Sequence, residues 1–174
     1  MKPFFLSVCL FLAQYFAGID FYNISIESLD GTQTKMSAYQ GKKIIIAVVS
    51  GNDESIKLVK YLDSVQHANT DIQVIAIPTG DFNGGISARS LNDLRKNISI
   101  VVTKPLKVRR ANGVQQHPLF AWLTRSSENK HFNMDAEGEG QVFIISGKGT
   151  LYGVLPKGTP WKYISKAINQ PFNE

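Results

Sequence analysis

The sequence predicts an α/β fold with an N-terminal β-hairpin and a central mixed sheet flanked by helices. Three observations carry that prediction. Lys43 to Val49 (Lys-Ile-Ile-Ile-Ala-Val-Val) and Ile72 to Ile77 are unbroken, largely β-branched runs of the kind found in strands covered on both faces. The segment after each run switches to helical spacing, and the order strand, helix, strand, helix implies parallel strands joined by crossover helices. Turn signals at Asp30-Gly31 and Gly147-Lys148-Gly149 sit between strand-like runs and read as hairpins.

Taken in order, Phe21 to Leu29 alternates well enough for a strand, and Asp30-Gly31 turns the chain into Thr32 to Met36. Ser37 to Gly41 breaks the pattern before the first buried strand. Asp53 or Ser55 can cap the following helix, in which Ile56, Val59, Leu62 and Val65 recur at helical spacing up to Asn69. After Ile72 to Ile77 come a Gly-rich loop, Gly80 to Gly85, and a polar helix from Ser87 to Lys96 with Leu91 and Leu94 on one side. Ile98 to Val102 reads as a short strand and Ala111-Asn112-Gly113 as a turn. His117-Pro118-Leu119-Phe120-Ala121-Trp122-Leu123 opens a helix with proline in its first turn. Gln141 to Ser146 and Thr150 to Leu155 flank the second hairpin turn, and a last amphipathic helix, Thr159 to Asn169, turns Trp161, Ile164 and Ile168 inward.

At 174 residues, 43% of them apolar and 19% charged, the chain suits one domain with a sizeable core and excludes global disorder. The formal charge of +5 is spread along the sequence. Its densest group, Lys104, Lys107, Arg109 and Arg110, reads as a solvated loop, so no nucleic-acid partner is expected. Lys2, the apolar run Phe4 to Leu12, and the small residues Ala17 and Gly18 have the layout of a secretory signal peptide. The expected organisation is therefore a leader over residues 1–18 and a domain over 19–174 in an exported, periplasmic or secreted, protein. An uncleaved anchor is the alternative and the only expected membrane contact, but a span needs roughly 20 apolar residues. The only cysteine, Cys9, lies inside the leader. Cleavage near Gly18 leaves no thiol, hence no disulfide, no Cys-x-x-Cys motif and no thiolate metal site, and no cofactor is expected. The sequons at Asn23 and Asn97 matter only in a eukaryotic secretory pathway.

Several motifs share one likeness. Asp30-Gly31, Met36 to Tyr39 and Gly41-Lys42 resemble the entry segment of the glutathione peroxidases, a strand pair and a turn before Gly-Lys and the first core strand. Ile77-Pro78-Thr79-Gly80-Asp81-Phe82-Asn83-Gly84-Gly85 is similar to that family's Phe-Pro-Cys-Asn-Gln-Phe-Gly-Gly loop. Val102-Thr103, Pro105-Leu106, Lys107-Val108, Asn112-Gly113 and, most specifically, His117 to Leu123 resemble its later pattern, so the likeness spans residues 21 to 168. It implies a thioredoxin-like fold and peroxide chemistry at a cysteine or selenocysteine just after the first core strand.

In this likeness the family's Asn-Val-Ala-Ser-x-Cys-Gly-x-Thr falls on Ala47-Val48-Val49-Ser50-Gly51-Asn52-Asp53-Glu54-Ser55, which puts Asn52 in the nucleophile position. A register with Ser50 there is the alternative, because the segment before the Gly-rich loop is shorter than the family's. Neither residue is a thiol. Peroxide reduction needs a polarizable thiolate or selenolate that is itself oxidised to a sulfenic or selenenic acid, which an amide or a hydroxyl cannot become. The family's glutamine falls on Asp81, its tryptophan on Phe132 and its asparagine on Asn133. Phe132 has no indole N–H to donate, and Asp81 brings a charge that would raise a thiol's pKa.

The resemblance thus implies a divergent member that has lost the peroxidatic sulfur: an exported, non-catalytic binding or accessory module. Asn52, Asp81 and Asn133 are then its binding residues, and a small polar or cationic molecule or a peptide its ligand. A peroxide-detoxifying peroxidase, as the family would suggest, and an unrelated activity led by Asp81 are the competing readings. Asp53, Glu54, Asp81, Asp135, Glu137 and Glu139 read as solvated loop acids rather than a metal site, since Asp135-x-Glu137-x-Glu139 is not a Ca²⁺-loop signature. His117 reads as a helix-start residue, His67 and His131 as isolated, and Gly80 to Gly85 lacks the Lys-Ser/Thr of a phosphate cradle.

Overall fold

Two unbroken β-branched runs demand cover on both faces, and the chain supplies it from helices on either side of one sheet. The computed structural model describes residues 18–82, 87–110 and 115–171. The expected leader with Cys9, the Ala111-Asn112-Gly113 turn and the Asn83-to-Gly85 part of the Gly-rich loop lie outside them.

Strands β1 (Ser25–Glu27) and β2 (Gln33–Lys35) form the antiparallel N-terminal hairpin, with Ile26 opposite Thr34. The main sheet contains β3 (Lys43–Val49), β4 (Ile72–Pro78), β5 (Val101–Val102), β6 (Val142–Ile145) and β7 (Leu151–Leu155), in the order β5-β4-β3-β6-β7. β3, β4 and β5 run parallel, and Lys43 to Val49 pair one for one with Ile72 to Pro78. β6 and β7 run antiparallel, as a hairpin closed by a tight turn must. The helices are α1 (Asp53–Ala68), α2 (Ala88–Arg95), α3 (Pro118–Thr124), α4 (Ser126–Asn129) and α5 (Trp161–Asn169).

The two-residue period of a strand sorts β3 between two cores. Ile44, Ile46 and Val48 join Met36, Phe120, Trp122 and Phe143 on one face. Ile45, Ala47 and Val49 join Leu58 and Leu62 of α1 and Ile164 and Ile168 of α5 on the other. Lys43 ties the second layer off: its Nζ donates to the carbonyls of Ile168 (2.5 Å) and Gln170 (3.0 Å), satisfying acceptors at the end of α5.

Three expectations need correcting. The stretch expected as a strand from Phe21 begins as a 3₁₀ turn, Phe21–Asn23, because the Asp20 carboxylate accepts from the Tyr22 N–H (3.1 Å) and from Asn23 Nδ2 (2.7 Å). That local bonding competes with strand formation and turns Phe21 onto Trp122, ring centroids 4.6 Å apart. α1 is capped by Asn52, not by Asp53 or Ser55. Trp161 is 44% exposed at the start of α5, although Ile164 and Ile168 are buried as expected.

The helix α4 has no apolar period and was not legible as a helix. It is held by the buried Asn129, whose Nδ2 donates to the carbonyls of Trp122 (2.7 Å) and Phe132 (3.0 Å) while Oδ1 accepts from the N–H groups of His131 and Phe132.

Candidate functional site

In a parallel sheet the loops that leave the carboxyl ends of the strands are the usual place for chemistry. Here those loops carry Asn52, after β3, and Asp81, after β4. Asn52 is committed to the backbone: its Oδ1 accepts from the Ser55 N–H at 2.8 Å. Ser55 Oγ accepts from the Ser50 N–H at 2.9 Å, and Ser50 Oγ lies 3.4 Å from the Asn52 nitrogen, so Ser50, Asn52 and Ser55 form one capping network. Asp53 and Glu54 in the first turn suit the positive end of the helix dipole. Gly51 leaves room for α2, because a Cβ there would stand 2.1 Å from Ser90 Cβ and 2.3 Å from its Oγ. The approach to Asn52 from the α2 side is thereby filled.

The open approach is on the other side. A cavity of about 470 Å³ lies between the start of α1, the Glu139-Gly140 segment and the turn that enters α5. Asn52, Glu54, Lys57, Glu139, Lys157 and Trp161 line it. The segment before β6 is fixed to β3 by Gly140 N–H donating to the Val48 carbonyl (2.8 Å) and Val48 N–H to the Gln141 carbonyl (2.9 Å), which holds the buried Glu139 at the cavity wall. Trp161 meets Tyr61 of α1 edge to face, centroids 4.8 Å apart, and so presents a supported aromatic surface.

Asp81 and Asn133 do not line that cavity; they meet a different segment, residues 107–110. The Asp81 side chain is only 7% exposed. Its Oδ2 accepts from the Val108 N–H (2.8 Å) and the Arg109 N–H (3.1 Å), and its Oδ1 from Lys107 Nζ (3.1 Å). Burial pushes its pKa up, but the Arg109 and Val108 N–H bonds and Lys107 together outweigh burial and leave it below the ordinary carboxylate value. From the other side Asn133 Oδ1 accepts from Arg110 (3.1 Å), and Asp135 Oδ1 accepts from the Arg110 N–H (2.9 Å). The Arg110 guanidinium also donates to the Thr124 carbonyl. Phe132 packs inward, 6.4 Å from the ring of Phe143. The structure therefore brings Asp81 and Asn133 onto one basic segment and leaves Asn52 at the cavity.

Asp53 and Glu54 serve the helix start, Asp81 and Asp135 the 107–110 segment, and Glu137 is exposed. Among the described residues no three His, Cys, Asp or Glu side chains are placed to hold a metal ion. His117 caps α3, Nδ1 accepting from the Leu119 N–H at 3.2 Å, and burial lowers its pKa, keeping it neutral.

No family model matches the chain, and neither does any curated protein. Solved structures do. The chain is similar to Trgpx in its apo form at 19% identity and a TM-score of 0.66, with 87% of this chain and 94% of that one covered. It is similar to T. cruzi GPX1 at 17% identity and a TM-score of 0.63, over 85% and 93% of the two chains. A secreted Mycobacterium tuberculosis disulfide oxidoreductase homologous to E. coli DsbE aligns at 12% identity and a TM-score of 0.56, over 84% and 95%. The chain has a thioredoxin-like fold. Within it, β3–α1–β4 is the parallel unit and β6–β7–α5 the antiparallel end, and the cavity beside Asn52 lies where the two meet.

This thioredoxin-like chain also assembles a constellation that the sequence did not reveal. Ser99 donates from N (2.7 Å) and Oγ (2.9 Å) to Asp63 Oδ1, and His67 Nδ1 lies 3.6 Å from Asp63 Oδ2 and 3.5 Å from Ser99 Oγ. The residues match a hydrolytic triad, but serine and aspartate both meet Nδ1. The hydroxyl proton points at the carboxylate, so histidine cannot relay a proton from the serine to its second nitrogen. This cluster is a clasp between α1 and the segment after α2.

Proposed function

We propose that this chain is a non-catalytic binding module on a peroxidase-like scaffold, acting in an exported compartment, with the cavity beside Asn52 as its recognition site. One observation carries the reading: the α1 start, where the family likeness puts a redox sulfur, bears an amide whose oxygen caps the helix, beside a cavity that is still open. Residues 18–171 contain no cysteine, so no described side chain can cycle through a sulfenic acid. The Ser50 register fares no better, since its hydroxyl lies within the same capping network.

The ligand class follows from the lining. Asn52 offers an amide, Glu54 and Glu139 carboxylates, Lys57 and Lys157 ammonium groups and Trp161 an aromatic wall, a mixture suited to a small polar molecule or a short peptide. In this account Asp81 and Asn133 are positioning residues that set the 107–110 segment at the neighbouring strand end. The leader-like N-terminus supports export, as does similarity to a protein that is itself secreted.

Trp161 provides the test, because Trp122 is buried and Trp161 is the tryptophan at the cavity. A panel of short synthetic peptides and small polar molecules is screened by thermal shift, and each hit is titrated against tryptophan emission. A ligand at 100 times its dissociation constant is expected to stabilise by about 2.7 kcal/mol. Hits are expected to change the emission in the wild type, to leave it unchanged in Trp161→Phe, and to bind Asn52→Ala more weakly. Hits that bind wild type and both variants alike would place recognition elsewhere.

A further inference from the structure

A second cavity, of about 390 Å³, lies at the β5 edge of the sheet, between the N-terminal hairpin and the segment that leads from α2 into β5. It shares no lining residue with the cavity beside Asn52. Its floor is apolar, made by Ile26, Leu29, Ile100 and Val102. Two charges of opposite sign stand over it, Asp30 at the hairpin turn and Arg95 at the end of α2.

The polar groups between them are strongly oriented. Ser28 Oγ donates to Asp30 Oδ1 at 2.5 Å, and the Thr32 N–H donates to the same oxygen at 2.9 Å. Ser99 Oγ donates to Asp63, and Tyr39 is hydrogen-bonded to Thr34. The Ser28 and Ser99 hydroxyls direct their protons to carboxylates and so turn lone pairs outward. Asp30 is held as a carboxylate, its pKa lowered to about 2 chiefly by the Ser28 and Thr32 bonds, with Arg95 adding to the effect. Arg95 is the exception: among the described residues its guanidinium makes no hydrogen bond or ion pair, leaving a fork of donors for a bidentate anion. The cavity is thus acceptor-rich at Asp30, donor-rich at Arg95 and aliphatic beneath.

We propose that this cavity binds a free aliphatic α-amino acid, with its ammonium group on Asp30, its carboxylate on Arg95 and its side chain over Ile26, Leu29 and Val102. A plain anion would meet Asp30 repulsively, and a plain amine would meet Arg95. A zwitterion satisfies both ends, and its body of a few carbons suits a volume near the lower end of the roughly 300–1,000 Å³ typical of small-molecule sites.

The test uses L-leucine as probe, followed by titration calorimetry and amide chemical shifts of the full chain. L-leucine is expected to bind at about 1 mM or tighter and to shift the amides of Leu29, Thr32 and Ile100. 4-Methylpentanoate, which lacks the ammonium, and L-leucinamide, which lacks the carboxylate, are each expected to bind at least about tenfold more weakly. Asp30→Asn keeps a turn-forming side chain and Arg95→Gln an exposed helix-compatible one, so both variants should fold with unchanged circular dichroism and lose about tenfold in leucine affinity. No saturable leucine binding, equal affinity for the two analogues, or equal affinity in the two folded variants would each overturn the proposal. Failure here leaves the cavity beside Asn52 untouched.

Discussion

Replacing Asp81 with alanine is expected to lower the unfolding free energy by about 2–4 kcal/mol in chemical denaturation, more than any other single polar substitution at the strand ends. The carboxylate is nearly buried and accepts from the N–H groups of Val108 and Arg109 and from Lys107. Its removal leaves the Val108 N–H without a partner next to a fully buried side chain. Asp81→Asn keeps one acceptor oxygen and should lose only part of that amount.

The same group sets an acid limb. Its folded-state pKa lies below the ordinary value of 3.8, so its contribution is fully present above that value and is lost as pH falls through the lower folded-state value. As pH falls below 3.8 the wild type should therefore lose stability more steeply than Asp81→Asn. Parallel wild-type and Asn curves through that window would mean that the carboxylate does not staple the 107–110 segment.

Gly51→Ala is the second large effect expected, at about 1–3 kcal/mol from overpacking. The added methyl would stand 2.1 Å from Ser90 Cβ, a position no rotamer change can relieve because Cβ is fixed to the backbone of α2. α2 must move away from the start of α1, which exposes Leu94 and opens the filled side of the Asn52 region. Ser90→Gly alone should cost about 0.5 kcal/mol as a glycine inside a helix, and in the Gly51→Ala background it should instead recover stability. A strictly additive double variant would show that the two residues do not touch in solution.

The strands of the main sheet were legible because burial on both faces leaves only one kind of sequence. Lys43 to Val49 matches its expected bounds, and Ile72 to Ile77 extends by Pro78 alone. Where a side chain bonds its own backbone, the pattern misled: Asp20 converts an alternating stretch into a 3₁₀ turn, and Asn52 takes the cap that Asp53 or Ser55 was expected to supply. Trp161 lies at helical spacing from Ile164 and Ile168, yet at the first residue of α5 it meets Tyr61 edge to face and lines the cavity.

The site was legible only at its sequence-local parts. Asp81 finds its partners 26 to 28 residues away and Asp63 finds Ser99 at 36, separations over which no periodicity reports. The family likeness placed Asn52 and Asp81 at adjacent strand ends. That the first faces a cavity and the second a buried staple depends on packing, which residue types alone do not encode.

Peroxide consumption by the purified chain from residue 19 onward separates a binding module from a peroxidase. With hydrogen peroxide and either glutathione or a thioredoxin system as reductant, the chain is expected to match the buffer rate, since loss of an essential nucleophile costs on the order of a million-fold in turnover. Asn52→Cys should add at most weak activity, with Phe132 unable to donate a hydrogen bond to the new thiol. Substantial turnover by the wild type, proportional to protein concentration and unchanged by metal chelation, would contradict a non-catalytic role.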